Sequence, residues 1–225
     1  MTQTHSQLTQ NLIKGQLNTC NVLDARVLNA IEHVARERFV PENYRGVAYV
    51  DRLLSIESDG VMQEPLVTAR MLELAAIEPT DTVVVIGDAT GYTSALCAQL
   101  AHHVKAVSLV KSAYMRIKST LTEDELERVS VSHGTVKEQM KSVQADVIII
   151  DGGVQSGIEV ILPYLHVTKG RLVTITLTNT RPGCTQGQGL ITMYQRTGDN
   201  YSKTIHGEAA TQLLPEFAAK QSFTL

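Results

Sequence analysis

From residue 82 onward the chain alternates short runs of branched apolar residues with helical stretches, and this alternation limits its folds more than any other feature. Strands are expected at 82–86, 104–110, 129–132, 146–150 and 171–177. Helical periodicity fills 92–101, 112–121 and 158–165 between them. Strands joined through helices pair as a parallel sheet, with helices covering both faces. Val83-Val-Val-Ile86 and Val147-Ile-Ile-Ile150 are apolar at every position, as strands buried on both faces require. Residues 190–196 and 201–206 follow without an intervening helix. With Gly198, Asp199 and Asn200 between them they are expected to form an antiparallel hairpin at one edge. Residues 178–189 read as a loop. The expectation is an α/β chain with a seven-stranded, mostly parallel sheet.

Upstream the pattern is helical. Asp24 is the expected N-cap of a helix over 25–37, where Val27, Leu28, Ile31 and Val34 recur at helical spacing. Phe39-Val-Pro41 closes it, because a residue before proline avoids the α region. Residues 48–56 read as a short extended segment or hairpin, and Pro65 opens a helix continuing over 66–76. The 225 residues show no internal repeat and no second-domain boundary. One domain over 1–225 is expected, with an N-terminal cap and loop at 1–78 and the core at 79–225.

Composition narrows the partners. Net charge is −3 with acids and bases interspersed, and no Lys/Arg stripe marks a nucleic-acid backbone as partner. Cys20, Cys97 and Cys184 are far apart, odd in number and lack metal-ligand spacing, which points to a reducing compartment. The first residues lack a signal-peptide pattern, and no apolar run approaches the ~20 residues that span a bilayer. A cytoplasmic protein with no membrane contact is expected.

Four places carry candidate chemistry. The first is the strand–glycine turn–helix unit, where Gly87, Asp88, Ala89, Thr90 and Gly91 lead into Tyr92. Glycines admit close backbone approach, and a helix N-terminus offers free N–H groups to an anion. A tight turn with no ligand is the plain alternative. The second is the end of the next strand at Val110, where nucleotide-type sites place an acid for the ribose hydroxyls and this chain has none. The third is Asp151-Gly152-Gly153 on the same sheet edge, read equally well as a turn cap. The fourth is Gln63-Glu64 before Pro65, where Glu64 alternatively complements the helix dipole. Among the histidines, only His133 sits at a strand end on the ligand edge.

In order and spacing these segments resemble the protein-L-isoaspartate (D-aspartate) O-methyltransferase family, in a divergent bacterial branch. Asp24-Ala-Arg-Val-Leu-Asn-Ala-Ile31, Arg36-Glu-Arg-Phe-Val-Pro41 and Ala48-Tyr-Val-Asp51 are similar to its N-terminal cap. Glu64-Pro65 with Ala69-Arg-Met-Leu-Glu73 looks like its substrate loop and following helix. Gly87, Thr90, Gly91 and Tyr92 match its cofactor loop. Ile150-Asp-Gly-Gly-Val154 and Lys169-Gly-Arg-Leu-Val173 match its fourth and fifth strands. Leu214-Pro-Glu-Phe217 and Ser222-Phe223 are like its tail.

The resemblance implies a Rossmann-like methyltransferase fold and methyl transfer from S-adenosyl-L-methionine to damaged aspartyl residues of a peptide or protein. It places the substrate site at Gln63 and Glu64. The cofactor site falls at Gly87, Asp88, Ala89, Thr90, Gly91, Val110, Gly134, Thr135, Asp151 and Gly152. The departures are pointed. Gln63 stands for the family's serine, Ala89 for its central loop glycine, Val85 and Val110 for two acids, and Gly134-Thr135 for a third. Asp88 fills a position usually small and neutral. These predict weak cofactor binding, with Val110→Glu plus Ala89→Gly tightening it. They leave open a non-catalytic binding protein on the same fold. A nicotinamide-dependent oxidoreductase is a third reading, disfavoured by the terminal hairpin and the cap.

Overall fold

The computed structural model describes residues 5–56, 60–179 and 185–219. Helices α1 (His5–Leu12), α2 (Ala25–His33) and α3 (Pro65–Ala75) form the cap, together with a two-stranded hairpin of β1 (Leu54–Ile56) and β2 (Gly60–Met62). The core runs β3 (Thr82–Ile86), α4 (Tyr92–Leu100), β4 (His103–Ser108), α5 (Lys111–Thr120), α6 (Glu123–Arg128), β5 (Val129–His133), α7 (Val136–Met140), β6 (Val147–Val154), β7 (Arg171–Asn179), β8 (Gln186–Thr197) and β9 (Asn200–Gln212). The sheet order is β5-β4-β3-β6-β7-β8-β9, parallel through β7 and antiparallel at β7–β8 and β8–β9.

Alternate residues of β3 feed two cores. Val83 and Val85 pack with α2, α3 and α4 on one face. Val84 and Ile86 pack with Val136, Met140, Ile158, Leu162 and Phe217 on the other. The alternation of side chains along a strand makes this division, and an all-apolar run satisfies both faces.

Several boundaries differ from the sequence expectation. Asp24 does cap α2, accepting from the Arg26 and Val27 amides at 2.8 and 3.4 Å. The helix nevertheless stops at His33 rather than 37. Val34 and Ala35 are extended, and a 3-10 turn (Arg36–Phe39) drives Arg36 and Phe39 into the interior. Residues 158–165 are not one helix but two 3-10 turns (Ile158–Val160 and Leu162–Tyr164). Pro163 brings no N–H and its ring crowds the carbonyl a turn earlier. Asp151-Gly152-Gly153 is not a turn, because β6 runs on to Val154 through a register shift after Ile149.

Strand β4 ends at Ser108, short of Val110, which becomes the N-cap residue of α5. The loop expected at 178–189 is mostly strand, with β7 reaching Asn179 and β8 starting at Gln186. The sequence reading named neither α6 nor α7. Cys184, Ser222 and Phe223 lie outside the described residues.

The cap is fastened to the core by charge as well as by packing. Arg38 grips both oxygens of Glu125 at 2.6 and 2.7 Å, and Glu125 also closes the capping box of α6 with Thr122. Among the described residues, no helix is long and apolar enough to cross a membrane.

Candidate active site

At the carboxyl edge of the sheet, where the chain leaves β3 toward β4 on one side and leaves β6 toward β7 on the other, lies a cleft of about 540 Å³ including its open mouth. Such crevices beyond strand ends are where open α/β sheets bind ligands. Gly87, Asp88, Ser108, Leu109, Val110, Ala113 and Asp151 line it from the core. Gly60, Val61 and the segment from Gln212 to Pro215 complete the wall.

Gly87 ends β3 at φ +83°, and Gly91 enters α4 at φ +94°; both conformations suit glycine. Asp88 turns inward between them and is 3% exposed. Its Oδ1 accepts from the Thr90 and Gly91 amides at 3.0 and 2.7 Å. Its Oδ2 accepts from the Ser94 amide and hydroxyl at 2.9 and 2.8 Å. The helix N-terminus expected to receive a ligand anion is therefore already filled by this chain's own carboxylate.

Ala89 departs from expectation too. Its methyl sits 3.2 Å from where a Cβ on Gly60 would fall, so it packs against β2 and is not part of the cleft lining. Thr90 caps locally through its hydroxyl, which accepts from the Tyr92 amide.

Asp151 is 7% exposed and accepts a 2.6 Å hydrogen bond on Oδ2 from Thr93 Oγ1. Burial, and next the nearby Asp88 carboxylate, push its carboxyl up to about 7, against smaller opposing effects of Thr93 and the Arg36 charge. Besides the cleft it borders a small enclosed space beneath α3, lined by Thr68, Met71, Leu72, Thr93 and Ile149. Asp151 thus stands between the cofactor loop and the cap.

On the cap side the central group is Arg36, a fully buried guanidinium that makes no ion pair with any described residue. Its Nε donates to the Ala48 carbonyl at 2.7 Å and its Nη2 to the Gln63 carbonyl at 2.5 Å. The guanidinium lies 4.9 Å from the Tyr92 ring centroid, and Nη1 has no hydrogen-bond partner among the described residues. Burial lowers its pKa, against the opposing Tyr92 and Asp151. Gln63 is 1% exposed; its amide nitrogen donates to Thr211 Oγ1, and Oε1 has no partner among the described residues. Its side chain faces the interior and not an open substrate site, because β9 offers it a hydroxyl there. Glu64 precedes α3 without a side-chain cap bond, and burial and Asp51 raise its carboxyl above the ordinary range.

Of the other expected residues, Gly152 is covered by Leu214, whose side chain lies 2.6 Å from the Cβ position on that glycine and 2.7 Å from the one on Gly87. Gly134 and Thr135 are not in the lining. The Gly134 amide bonds the Ser108 carbonyl, and the Thr135 hydroxyl caps α7. His133 packs edge-on against Tyr114, with ring centroids 6.2 Å apart.

Sequence reasoning missed Leu214 as a wall. After β9 a strap crosses the strand ends: the Leu214 amide bonds the Gly153 carbonyl, Glu216 accepts from the Val136 amide, and Phe217 is 3% exposed in the core. The apolar Leu213-Leu214 before Pro215, and Phe217 beyond it, were the available signal.

A family model described as Protein-L-isoaspartate(D-aspartate) O-methyltransferase matches residues 4–170. The protein-L-isoaspartate O-methyltransferase of Klebsiella pneumoniae is 38% identical over 120 residues, covering 53% of this chain and 58% of that one. The one from Serratia proteamaculans is 40% identical over 119 residues, covering 53% and 57%. The match therefore spans little more than half the length of these relatives. A solved protein-L-isoaspartate O-methyltransferase superposes with a TM-score of 0.76 at 18% identity, over 94% of this chain and 66% of that one. That likeness concerns architecture, and the architecture is the Rossmann-like methyltransferase fold.

Proposed function

We propose that this chain, which belongs to the protein-L-isoaspartate(D-aspartate) O-methyltransferase family, binds S-adenosylmethionine in the cleft at the sheet's carboxyl edge and methylates carboxylates of L-isoaspartyl or D-aspartyl residues in peptides or proteins. The observation that carries this reading is the cleft itself. It lies within the fold of the family, between a glycine loop and the cap, with Gly87, Asp88, Val110 and Asp151 on its wall. Residues 1–78 and 79–225 act in this proposal as one domain, joined by the Arg38–Glu125 bridge and the Gln63–Thr211 bond.

The residues present fit the cofactor in part. Backbone at Gly87 approaches the space, and Asp151 brings a carboxyl to it. Val110 brings no acid to the ribose, so affinity rests on fewer polar contacts. Bound S-adenosylmethionine supplies a methyl carbon on a sulfonium, which a substrate carboxylate oxygen takes as the carbon–sulfur bond breaks, leaving a neutral thioether and a methyl ester with no proton moved. No general base is needed, because an ordinary carboxyl is already ionised near neutral pH.

The chain's own work is alignment and exclusion of water. Leu214 and Val61 wall the cleft with apolar surface. Arg36 holds the Gln63 carbonyl and so fixes the loop before α3, on which Glu64 sits. Gln63 acts here through its backbone as a positioning residue. Titration with S-adenosylmethionine, S-adenosylhomocysteine and NAD tests the reading. Binding of the first two and not the third is expected, and binding of NAD alone would overturn it.

A further inference from the structure

Asp151 is not explained by the fold. A neutral residue at this place within β6 would satisfy the strand, and a carboxyl at a nearly closed position is costly unless it has work to do. It hydrogen-bonds through one oxygen only, Oδ2, to Thr93; the described residues give Oδ1 no hydrogen bond. Oδ1 is also absent from the buried atoms that lack a partner, as expected of an oxygen that reaches the cleft lined by its own residue. Among the described residues it has no ion pair.

The titratable and charged groups around it come from three elements. Asp88 stands on the glycine loop, and Tyr92 and Cys97 stand on α4, where burial pushes both of the latter up. Arg36 lies on the cap side, beyond ion-pair reach. The α3 face presents only Thr68, Met71 and Leu72, and the strap presents Leu214. Among these neighbours Asp151 is the carboxyl that lines the cleft with an oxygen left without a hydrogen bond by the described residues.

We infer that Asp151 is the cleft's cation-recognising group, which takes the positive sulfonium of the methyl donor through Oδ1 and distinguishes it from the neutral thioether product. This rests on the cofactor reading above and adds to it a residue, a charge preference and a pH dependence. The carboxyl is protonated in the empty cleft below about pH 7, so a cation must displace a proton to bind. The neutral thioether displaces none. Donor affinity therefore rises with pH while product affinity does not, and loss of the positive charge on transfer loosens the product.

The test is calorimetric titration of S-adenosylmethionine and S-adenosylhomocysteine into the whole chain from pH 5.5 to pH 8.5, for wild type and Asp151→Asn. The wild type should bind the donor about tenfold more tightly at pH 8 than at pH 6, with the product changing much less. Asp151→Asn should flatten the donor profile at its low-pH level, and cooperative urea unfolding of the variant shows that it folds. Parallel donor and product profiles in the wild type overturn the inference while the cofactor reading stands, and so does a donor profile that survives Asp151→Asn. Absence of binding by both ligands at every pH overturns the cofactor reading, and the inference with it.

Discussion

Replacing Asp151 by Asn should make the protein more stable at pH 8 and leave its stability nearly unchanged at pH 4. The carboxyl sits at about 7 in the fold against an ordinary 3.8, raised chiefly by burial and then by Asp88. Between those values the folded chain holds a proton that the unfolded chain has released, so folding loses stability as pH rises from about 4 to about 7. Above pH 7 the whole cost is present. The gap corresponds to about 4 kcal/mol, and relaxation around a residue beside an open cleft brings the expected gain down to about 2–4 kcal/mol. Asparagine has nearly the same shape and still accepts from Thr93, so little else changes. Urea unfolding of both proteins at pH 8 and pH 4 reads the difference directly. A variant less stable than wild type at pH 8, or a difference equal at both pH values, would refute the reasoning, because either result means that the Asp151 charge is not a cost to the fold.

Other expectations follow from particular contacts. Glu125→Ala removes the buried partner of Arg38 and half of the α6 capping box; a loss of about 2–4 kcal/mol is expected in denaturant unfolding, and a loss under 1 kcal/mol would mean that the bridge does not hold the cap. Phe217→Ala should cost about 3–5 kcal/mol by emptying its place under the strap, read as a fall in melting temperature. Val110→Glu places an acid on the cleft wall and at the N-terminus of α5; it should tighten S-adenosylmethionine by roughly ten- to a hundredfold in titration, and weaker binding would falsify the ribose argument. Ala89→Gly should leave that affinity unchanged, since the Ala89 methyl meets Gly60 and not the cleft.

The sheet was legible because its signal is local. Runs such as Val83–Ile86 and Val147–Ile150 state strand and two-sided burial within a few residues, and the Gly198-Asp199 turn announces the hairpin. Of the candidate cleft, the sequence showed the parts set by backbone geometry: the glycine turn at Gly87, Val110 just past β4 and Asp151 within β6. What escaped depends on residues distant in sequence. Gln63 points inward because Thr211 stands on β9 to receive it, 148 positions away. Arg36 looks like a surface charge until the chain breaks after His33 and turns it under Tyr92. Asp88 could be read as repelling or attracting a ligand, and only the fold of the loop shows it spent on the amides of α4. Leu214 reaches Gly87 from the far end of the chain. Pro163, by contrast, carried its signal openly, and the helix assigned across 158–165 ignored it.

The most direct test of the account is methyl transfer itself. Labelled S-adenosylmethionine should be incubated with the full chain and a pair of peptides identical except for L-isoaspartyl or ordinary aspartyl linkage at one site. The account predicts a base-labile methyl ester on the isoaspartyl peptide, with the aspartyl peptide unlabelled. A chain that binds S-adenosylmethionine yet labels neither peptide, or labels both alike, would contradict it.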